Sequence, residues 1–519
     1  MRISSIGLTL LVVVLGGCGG GKNGGVAPPT VTNSAPVSTQ AGITARSGLA
    51  GSPVTPYVND ADFPETFTFQ VLSLPANGTA SVVNNRLVYT PIGGFTSGLD
   101  NFTYRATDSN NNTIDGTARV RVYDNTLAGS ASGLGRCTTA STVNLNGTLD
   151  LRINTTSCAF YGEANTRVTS MGVPVTVRYA VHRPSNGASP KAAVILIAGG
   201  NLNANFAGGN AVTGDVTAIG GNFVIRTAQL VAEAGYLSVV VDRPSDRADL
   251  QANVDAYRIS VDHAVDMLAV ARLVNTDNLP LILSGTSRGA MSVVANNLIA
   301  SGIQISSPVT SGAGLYVGIV GTPNLQATYV QRPTRVLWHQ GDLCPVSTPA
   351  NSQNLFTALS THLSGIDISS SSASVTGGVR VTVESPNVTP DVCGAFDFHG
   401  FLGIEPAVIA AETGYLDTFI SSLSGNAIPN AAFVTVQTAA GVVRQINLST
   451  LTNDANSDAL SYNLAHTVTS LGGSVAMNGA IVTYTPPAGI SSTTDYFVYV
   501  VTDGNSGVRA AVVTVQIGS

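Results

Sequence analysis

The two ends of this 519-residue chain are copies of one another. Gly78, Tyr89-Thr90-Pro91, Asp100, Phe102, Tyr104 and Thr107-Asp108 recur as Gly473, Tyr484-Thr485-Pro486, Asp495, Phe497, Tyr499 and Thr502-Asp503, each at a constant offset of 395. Asn59-Asp60 recurs as Asn453-Asp454, one residue out of step. Such register over about 30 residues marks one structural unit built twice. Each copy carries short alternating runs, Ala118–Tyr123 and Ala511–Ile517, bounded by turn residues. Alternation at period two puts successive side chains on opposite faces of a strand. The spacing predicts an antiparallel sandwich of about seven strands at each end, over 46–125 and 426–519. Neither end holds a catalytic constellation. The stretch 126–425 between them has to build a core of its own.

That middle stretch opens with a Gly/Ser linker, Leu127–Gly135, and a hairpin pattern between Cys137 and Cys158. Strand and helix signals then alternate. Val173–His182 alternates apolar and polar residues, and its Pro174 suits a strand start or an edge. Ala192–Ala198 and Leu237–Asp242 are almost unbroken apolar runs, as strands buried on both faces must be. Leu281–Ser284, Thr334–His339 and Val379–Glu384 complete the strand set. Asn222–Gly235, Asp255–Val274 and Ala290–Ala300 read as helices. This order predicts a mostly parallel, doubly wound sheet. Charged residues are 10% of the chain, lysine occurs only at Lys22 and Lys191, and the net charge is −6. That balance gives no basis for nucleic-acid binding.

The most specific stretch runs from Leu281 into Gly285-Thr286-Ser287-Arg288-Gly289 and on into a helical pattern. G-x-S-x-G between a strand and a helix forces a sharp reversal that projects the serine Oγ. The flanking glycines remove Cβ atoms that would collide in that turn. The N–H of Arg288 follows directly, placed to hold an oxyanion. In this context 165–425 resembles the α/β-hydrolase family, which implies an α/β-hydrolase fold between the two sandwiches. The resemblance implies Ser287 as nucleophile, followed along the chain by an acid and a histidine. Asp342 ends the strand-like Trp338-His339-Gln340-Gly341-Asp342 and matches the acid, with Asp391 and Asp397 as rivals. His399, in Asp397-Phe398-His399-Gly400, matches the base. Of the other histidines, His182 and His263 precede the serine, His339 lies in a strand, His362 in a helix and His466 in the last module. The imidazole takes the serine proton, and the carboxylate fixes its tautomer. Ala198-Gly199-Gly200-Asn201 follows a buried strand where the family often has His-Gly. Gly200 N–H and Arg288 N–H are the implied oxyanion donors, with Asn201 as the alternative. Gly208-Gly209 reads as part of a loop over the site, and Ser311–Pro333 leaves little room for a cap domain. The implied activity is hydrolysis of carboxylic esters with no metal or other cofactor. A peptidase on the same fold and a surface adhesin with a non-catalytic scaffold are the alternatives.

The N-terminus has a short charged start and an apolar run, Ile6–Leu15, too short to span a bilayer permanently. Leu15-Gly16-Gly17-Cys18 resembles a bacterial lipoprotein lipobox. The resemblance implies a signal peptide over 1–18, lipidation of Cys18 and membrane anchoring in the cell envelope, with 19–45 as a flexible tether. The four other cysteines suit an oxidising compartment. The expected pairs are Cys137–Cys158, from their short separation, and Cys344–Cys393, which flank Asp342 and His399; order alone leaves three pairings open. The two ends resemble bacterial cadherin-like and Ig-like modules, which implies that they space or present a protein, or bind surface polymers or proteins. Asp60, Asp62 and Asp108, and likewise Asp454, Asp458 and Asp503, offer either calcium ligands or simple turn-forming pairs.

Overall fold

The computed structural model describes residues 33–124, 138–145, 148–155, 158–184, 186–217, 219–247, 251–308, 329–363, 370–375, 392–395, 397–402 and 404–519. The expected signal peptide, Cys18, the Gly/Ser linker, Cys137, Asp391 and the expected strand 379–384 lie outside these residues, as does most of the segment judged too short for a cap.

The middle of the chain folds around one eight-stranded sheet. Its strands are β1 (Phe160–Val168), β2 (Pro174–His182), β3 (Ala193–Ile197), β4 (Leu237–Val241), β5 (Leu281–Thr286), β6 (Ser301–Ile305), β7 (Thr334–His339) and β8 (Ser370–Val375). They lie in the order β1-β2-β4-β3-β5-β6-β7-β8. β2 runs antiparallel to β1 and β4, and every other pair is parallel. Each residue of β3, β4 and β5 is buried, because helices cover both faces of the sheet. The helices are α1 (Phe223–Arg226), α2 (Ala228–Glu233), α3 (Gln251–Arg258), α4 (Val261–Val274), α5 (Gly289–Ala295), α6 (Pro349–Leu363) and α7 (Glu405–Ser422). The chain leaves β3 for β4 on one side and returns to β5 on the other. The carboxyl ends of β3 and β5 therefore sit side by side at the switch in strand order, where open α/β sheets bind ligands.

β2 begins at Pro174, as a proline at a strand start should, and β1 pairs along its outer side; Gly162, Glu163 and Asn165 break the apolar alternation that would reveal β1. Beside β7 lies the serine-rich Ser370–Val375, which carries no strand signature. Two expectations need correction. The helix expected over 255–274 is two helices, parted at Ile259-Ser260, where Ser260 is extended at φ −92° and ψ 161°. The tether expected to reach residue 45 ends sooner: Ser38–Arg46 is a strand with Ala41, Ile43 and Ala45 buried. Among the described residues, no helix is long and apolar enough to cross a membrane.

Both ends are sandwiches. The N-terminal one has a five-stranded and a two-stranded sheet, the C-terminal one sheets of four, three and two strands. Neither is wholly antiparallel: Ser38–Arg46 runs parallel to Thr113–Tyr123, and Val434–Thr438 parallel to Val508–Ile517. The repeated residues hold the same internal bonds. Tyr89 OH donates to buried Asp100 at 2.9 Å, and Tyr484 OH donates to buried Asp495 at 2.9 Å. Asp108 and Asp503 each accept two backbone N–H groups of the following turn. Asp454, Asp458 and Asp503 bring one oxygen each within 4.8 Å of one another. Asp60, Asp62 and Asp108 are not among such groupings of the described residues.

The C-terminal sandwich shares a core with the central domain. Tyr496, Val498, Val500, Ala510 and Val512 belong to the same buried cluster as Val261, Val265 and Leu268 of α4. The N-terminal sandwich keeps a separate core and is attached by a small buried pair, Tyr123 and Cys158, and by polar contacts. Arg86 Nε lies 3.2 Å from Asp277, Arg121 pairs with Asp215, Ser52 Oγ donates to Pro184 O at 2.8 Å, and Arg119 lies over the Phe160 ring at 4.9 Å.

Candidate active site

Ser287 sits where β5 turns into α5. It has φ +52°, a left-handed conformation that costs a residue with a Cβ on the order of 1 kcal/mol. The surrounding glycines make the turn feasible. A Cβ on Gly285 would come to 2.3 Å from Gly289 O, and one on Gly289 to 2.3 Å from Ile197 O. Strand, turn and helix are thus packed backbone against backbone. Ser287 N–H donates to Ile305 O at 2.7 Å, tying the turn to the end of β6.

His399 lies on a single 3-10 turn, Phe398–Gly400. Ser306 Oγ donates to His399 O at 2.9 Å, so consecutive residues at the end of β6 hold Ser287 and His399. The His399 ring is buried. Its Nδ1 lies 3.0 Å from Asp342 Oδ2 and 2.8 Å from Ser347 Oγ. Ser347 Oγ also donates to Asp342 Oδ2 at 2.9 Å, and Cys344 N–H donates to Asp342 Oδ1 at 2.8 Å. An unprotonated carboxylate beside Nδ1 assigns the neutral ring's proton to Nδ1 and leaves a lone pair on Nε2. Nε2 is buried with no hydrogen-bond partner among the described residues. Asp342 and His399 are therefore brought together, while no hydrogen bond joins Ser287 Oγ to Nε2.

Asp397 does a different job from that of a rival acid: its side chain accepts the N–H of Phe398 and caps the 3-10 turn. His339 ends β7 and stacks on Phe398 with ring centroids 4.5 Å apart, buttressing the turn from the other side. Cys344 and Cys393 form a disulfide that links the Asp342 loop to the segment before His399. Cys158 is also disulfide-bonded.

The loop after β3 reaches the serine. A Cβ on Gly199 would come to 3.0 Å from Ser287 Cβ, and Gly200 has φ +53°. The Arg288 guanidinium pairs with buried Asp255, so this side chain belongs to an internal ion pair. The Gly208-Gly209 pair lies against the protein: a Cβ on Gly209 would come to 2.6 Å from the ring of buried Tyr161.

Three residues around the site have no simple sequence signal. Ser347 bridges Asp342 and His399. Arg226, wholly buried with Glu405, donates to Gly400 O, to Ala395 O at 3.1 Å and to Gly221 O at 3.0 Å, pinning the His399 loop by its carbonyls. Glu412 of α7 accepts a hydrogen bond from Ser284 Oγ of β5 at 2.8 Å. Burial pushes the Glu412 carboxyl up to about 7, against the lowering effect of Ser284. An Asp-x-Cys-x-x-Ser spacing was visible for Ser347, but its meaning depends on where His399 arrives in space.

A family model described as a bacterial Ig domain matches residues 33–122 and 426–516. Among curated proteins, none matches the sequence. Solved structures similar to the chain include Est1E from Butyrivibrio proteoclasticus, at 13% identity and TM-score 0.29, covering 50% of this chain and 99% of that one. A lipase/esterase from Lactobacillus plantarum matches at 14% identity and TM-score 0.28, covering 49% of this chain and 97% of that one. Porphyromonas gingivalis dipeptidyl peptidase 4 matches at 11% identity and TM-score 0.27, covering 64% of this chain and 51% of that one. The strand order, with β2 reversed and the serine turn after β5, is what defines the middle of the molecule. Two bacterial Ig domains thus enclose an α/β-hydrolase fold.

Proposed function

We propose that the chain is a serine hydrolase that cleaves carboxylic esters. Ser287 Oγ attacks the acyl carbonyl while His399 Nε2 takes its proton; Asp342 and Ser347 hold Nδ1–H and stabilise the imidazolium. The N–H groups of Gly200 and Arg288 hold the tetrahedral oxyanion. The imidazolium returns its proton to the departing alkoxide, leaving an acyl-enzyme. Water then attacks, with Nε2 again as base, and releases the acid and free Ser287. The observation that carries this reading is one histidine with Nδ1 bound to a buried carboxylate and Nε2 unengaged, anchored to the same strand end as a serine in a left-handed turn. No hydrogen bond joins Ser287 Oγ to Nε2; such catalytic bonds commonly tighten only when substrate is bound.

Anchoring through a lipid on Cys18 and export to the cell envelope belong to the same proposal, supported by the lipobox-like Leu15–Cys18 and the disulfide Cys344–Cys393. The test is hydrolysis of a p-nitrophenyl ester panel by wild type, Ser287→Ala and His399→Ala. Turnover in the wild type and a fall of at least ~10³-fold in both variants supports the reading. Turnover that survives Ser287→Ala overturns it.

A further inference from the structure

We propose that Arg258 is the positioning residue of the oxyanion loop, holding the carbonyls of residues 198–200 so that the following N–H groups face Ser287. The inference rests on the hydrolase reading above and adds a residue to it.

Arg258 is the last residue of α3 and is fully buried. Its Nη2 lies 2.9 Å from Ala198 O, 3.3 Å from Gly199 O and 3.0 Å from Gly200 O, and its Nη1 donates to Ser292 Oγ of α5 at 3.1 Å. One nitrogen therefore gathers three consecutive carbonyls. An extended chain presents successive carbonyls on alternate sides, so the gathering needs the left-handed turn that Gly200 supplies at φ +53°. In a trans peptide the N–H of the next residue points opposite to the carbonyl. Fixing the carbonyls of 198, 199 and 200 toward Arg258 thus sends the N–H groups of Gly199, Gly200 and Asn201 to the opposite side of the loop. Ser287 is the loop's near neighbour, as the 3.0 Å approach from a Gly199 Cβ shows.

Charge adds to orientation. A cation on an amide oxygen draws electron density from the peptide and makes its N–H a stronger donor, which is what a developing oxyanion rewards. The cation is kept at a cost. The nearest carboxylate of a described ion pair is Asp255, 3.8 Å from Arg258 Nε, and Asp255 also pairs with Arg288. Burying a guanidinium against neutral carbonyls is expensive for a role that an apolar side chain of similar volume would fill if only packing mattered. The same fork on Ser292 registers the loop against α5, the helix that begins after Ser287.

The experiment measures kcat and KM on a p-nitrophenyl ester for wild type, Arg258→Met, Arg258→Lys and Ser292→Ala, with folding checked by circular dichroism. It adds inhibition by an alkyl boronic acid, whose serine adduct is tetrahedral. Losing one oxyanion donor costs about 10²–10³ in kcat. Arg258→Met is expected to lose kcat by about that factor with KM nearly unchanged, and to weaken boronate binding in parallel. Arg258→Lys, which keeps the charge without the fork, is expected to recover part of the loss. Ser292→Ala removes only the outer anchor and is expected to lose a few-fold. If Arg258→Met does not fold, the Lys and Ser292 variants carry the test. Folded variants with wild-type kcat, or a loss confined to KM, overturn the positioning role and leave the hydrolase reading intact. A wild type that hydrolyses no ester removes both.

Discussion

In the N-terminal Ig domain, the outward positions of the two longest strands are Asn101, Thr103, Arg105, Asp115, Thr117, Arg119 and Arg121. At the same offset of 395, the C-terminal domain has Tyr496, Val498, Val500, Ala510, Val512, Thr514 and Gln516. Arg105 and Asp115 face each other across the ladder in a solvent-exposed ion pair. Their counterparts Val500 and Ala510 also face each other, and both are buried in the core shared with α4. The inner faces hardly differ: Phe102, Tyr104 and Val120 repeat as Phe497, Tyr499 and Val515, all buried. One sandwich has therefore been adapted twice by changing one face. With arginines there it is attached at the rim of the central domain through Asp215 and Phe160. With valines it becomes part of the central domain's core. The gain of a largely buried ion pair is offset by the cost of taking its charges out of water, whereas each buried valine contributes about 1.5–3 kcal/mol, so the second attachment is the stronger.

The largest expected effects fall on the C-terminal attachment. Val500→Arg copies Arg105 into the shared core, leaves a charge without a partner and is expected to cost about 3–5 kcal/mol. It would appear as a large fall in Tm of the whole chain. Removing residues 426–519 is expected to be worse, giving insoluble protein, while removing 33–124 leaves a soluble central domain. A soluble, fully active chain without 426–519 would break the comparison.

A second perturbation strikes the central domain and neither interface. Because burial lifts the Glu412 carboxyl to about 7 from its usual 4.5, the folded protein keeps a proton that the unfolded chain releases. Stability therefore falls as pH rises from about 4.5 to 7. Glu412→Gln lacks this slope and is expected to gain on the order of 3 kcal/mol over wild type above pH 7, with no gain below pH 4.5. Denaturant titrations at pH 4.5 and 8 measure it. An equal difference at both pH values would contradict the buried-acid account.

At the rim, Asp215→Ala is expected to weaken N-terminal docking by about 1 kcal/mol. Limited proteolysis would release that domain faster, with the Tm of the central domain little changed. The smallest effect belongs to the reciprocal swap, Arg105→Val, expected to change stability by less than about 0.5 kcal/mol. A loss there as large as that of Val500→Arg would mean that the two faces are not differently used.

Much of this organisation was legible in residue order. The 395-residue offset exposed the two sandwiches, the apolar runs at β3, β4 and β5 marked a buried parallel sheet, and Gly285 and Gly289 framed Ser287. The docking of the C-terminal domain was also written in the valines that replace polar residues between the copies, although that contrast gains meaning only once α4 is found against them. What stayed hidden depends on distant partners. β1 and β8 have polar or serine-rich sequences and become strands by pairing. Arg226 and Arg258 look like ordinary surface arginines, yet each satisfies carbonyls of a loop far away in the chain. Ser347 matters because His399, 52 residues later, arrives beside it.

The most direct measurement is labelling of the full chain with a fluorophosphonate, followed by peptide mapping of the adduct. The account predicts one modified residue, Ser287, with labelling abolished in Ser287→Ala and strongly slowed in His399→Ala. A folded wild-type protein that takes up no probe, or carries it on a different serine, would contradict it.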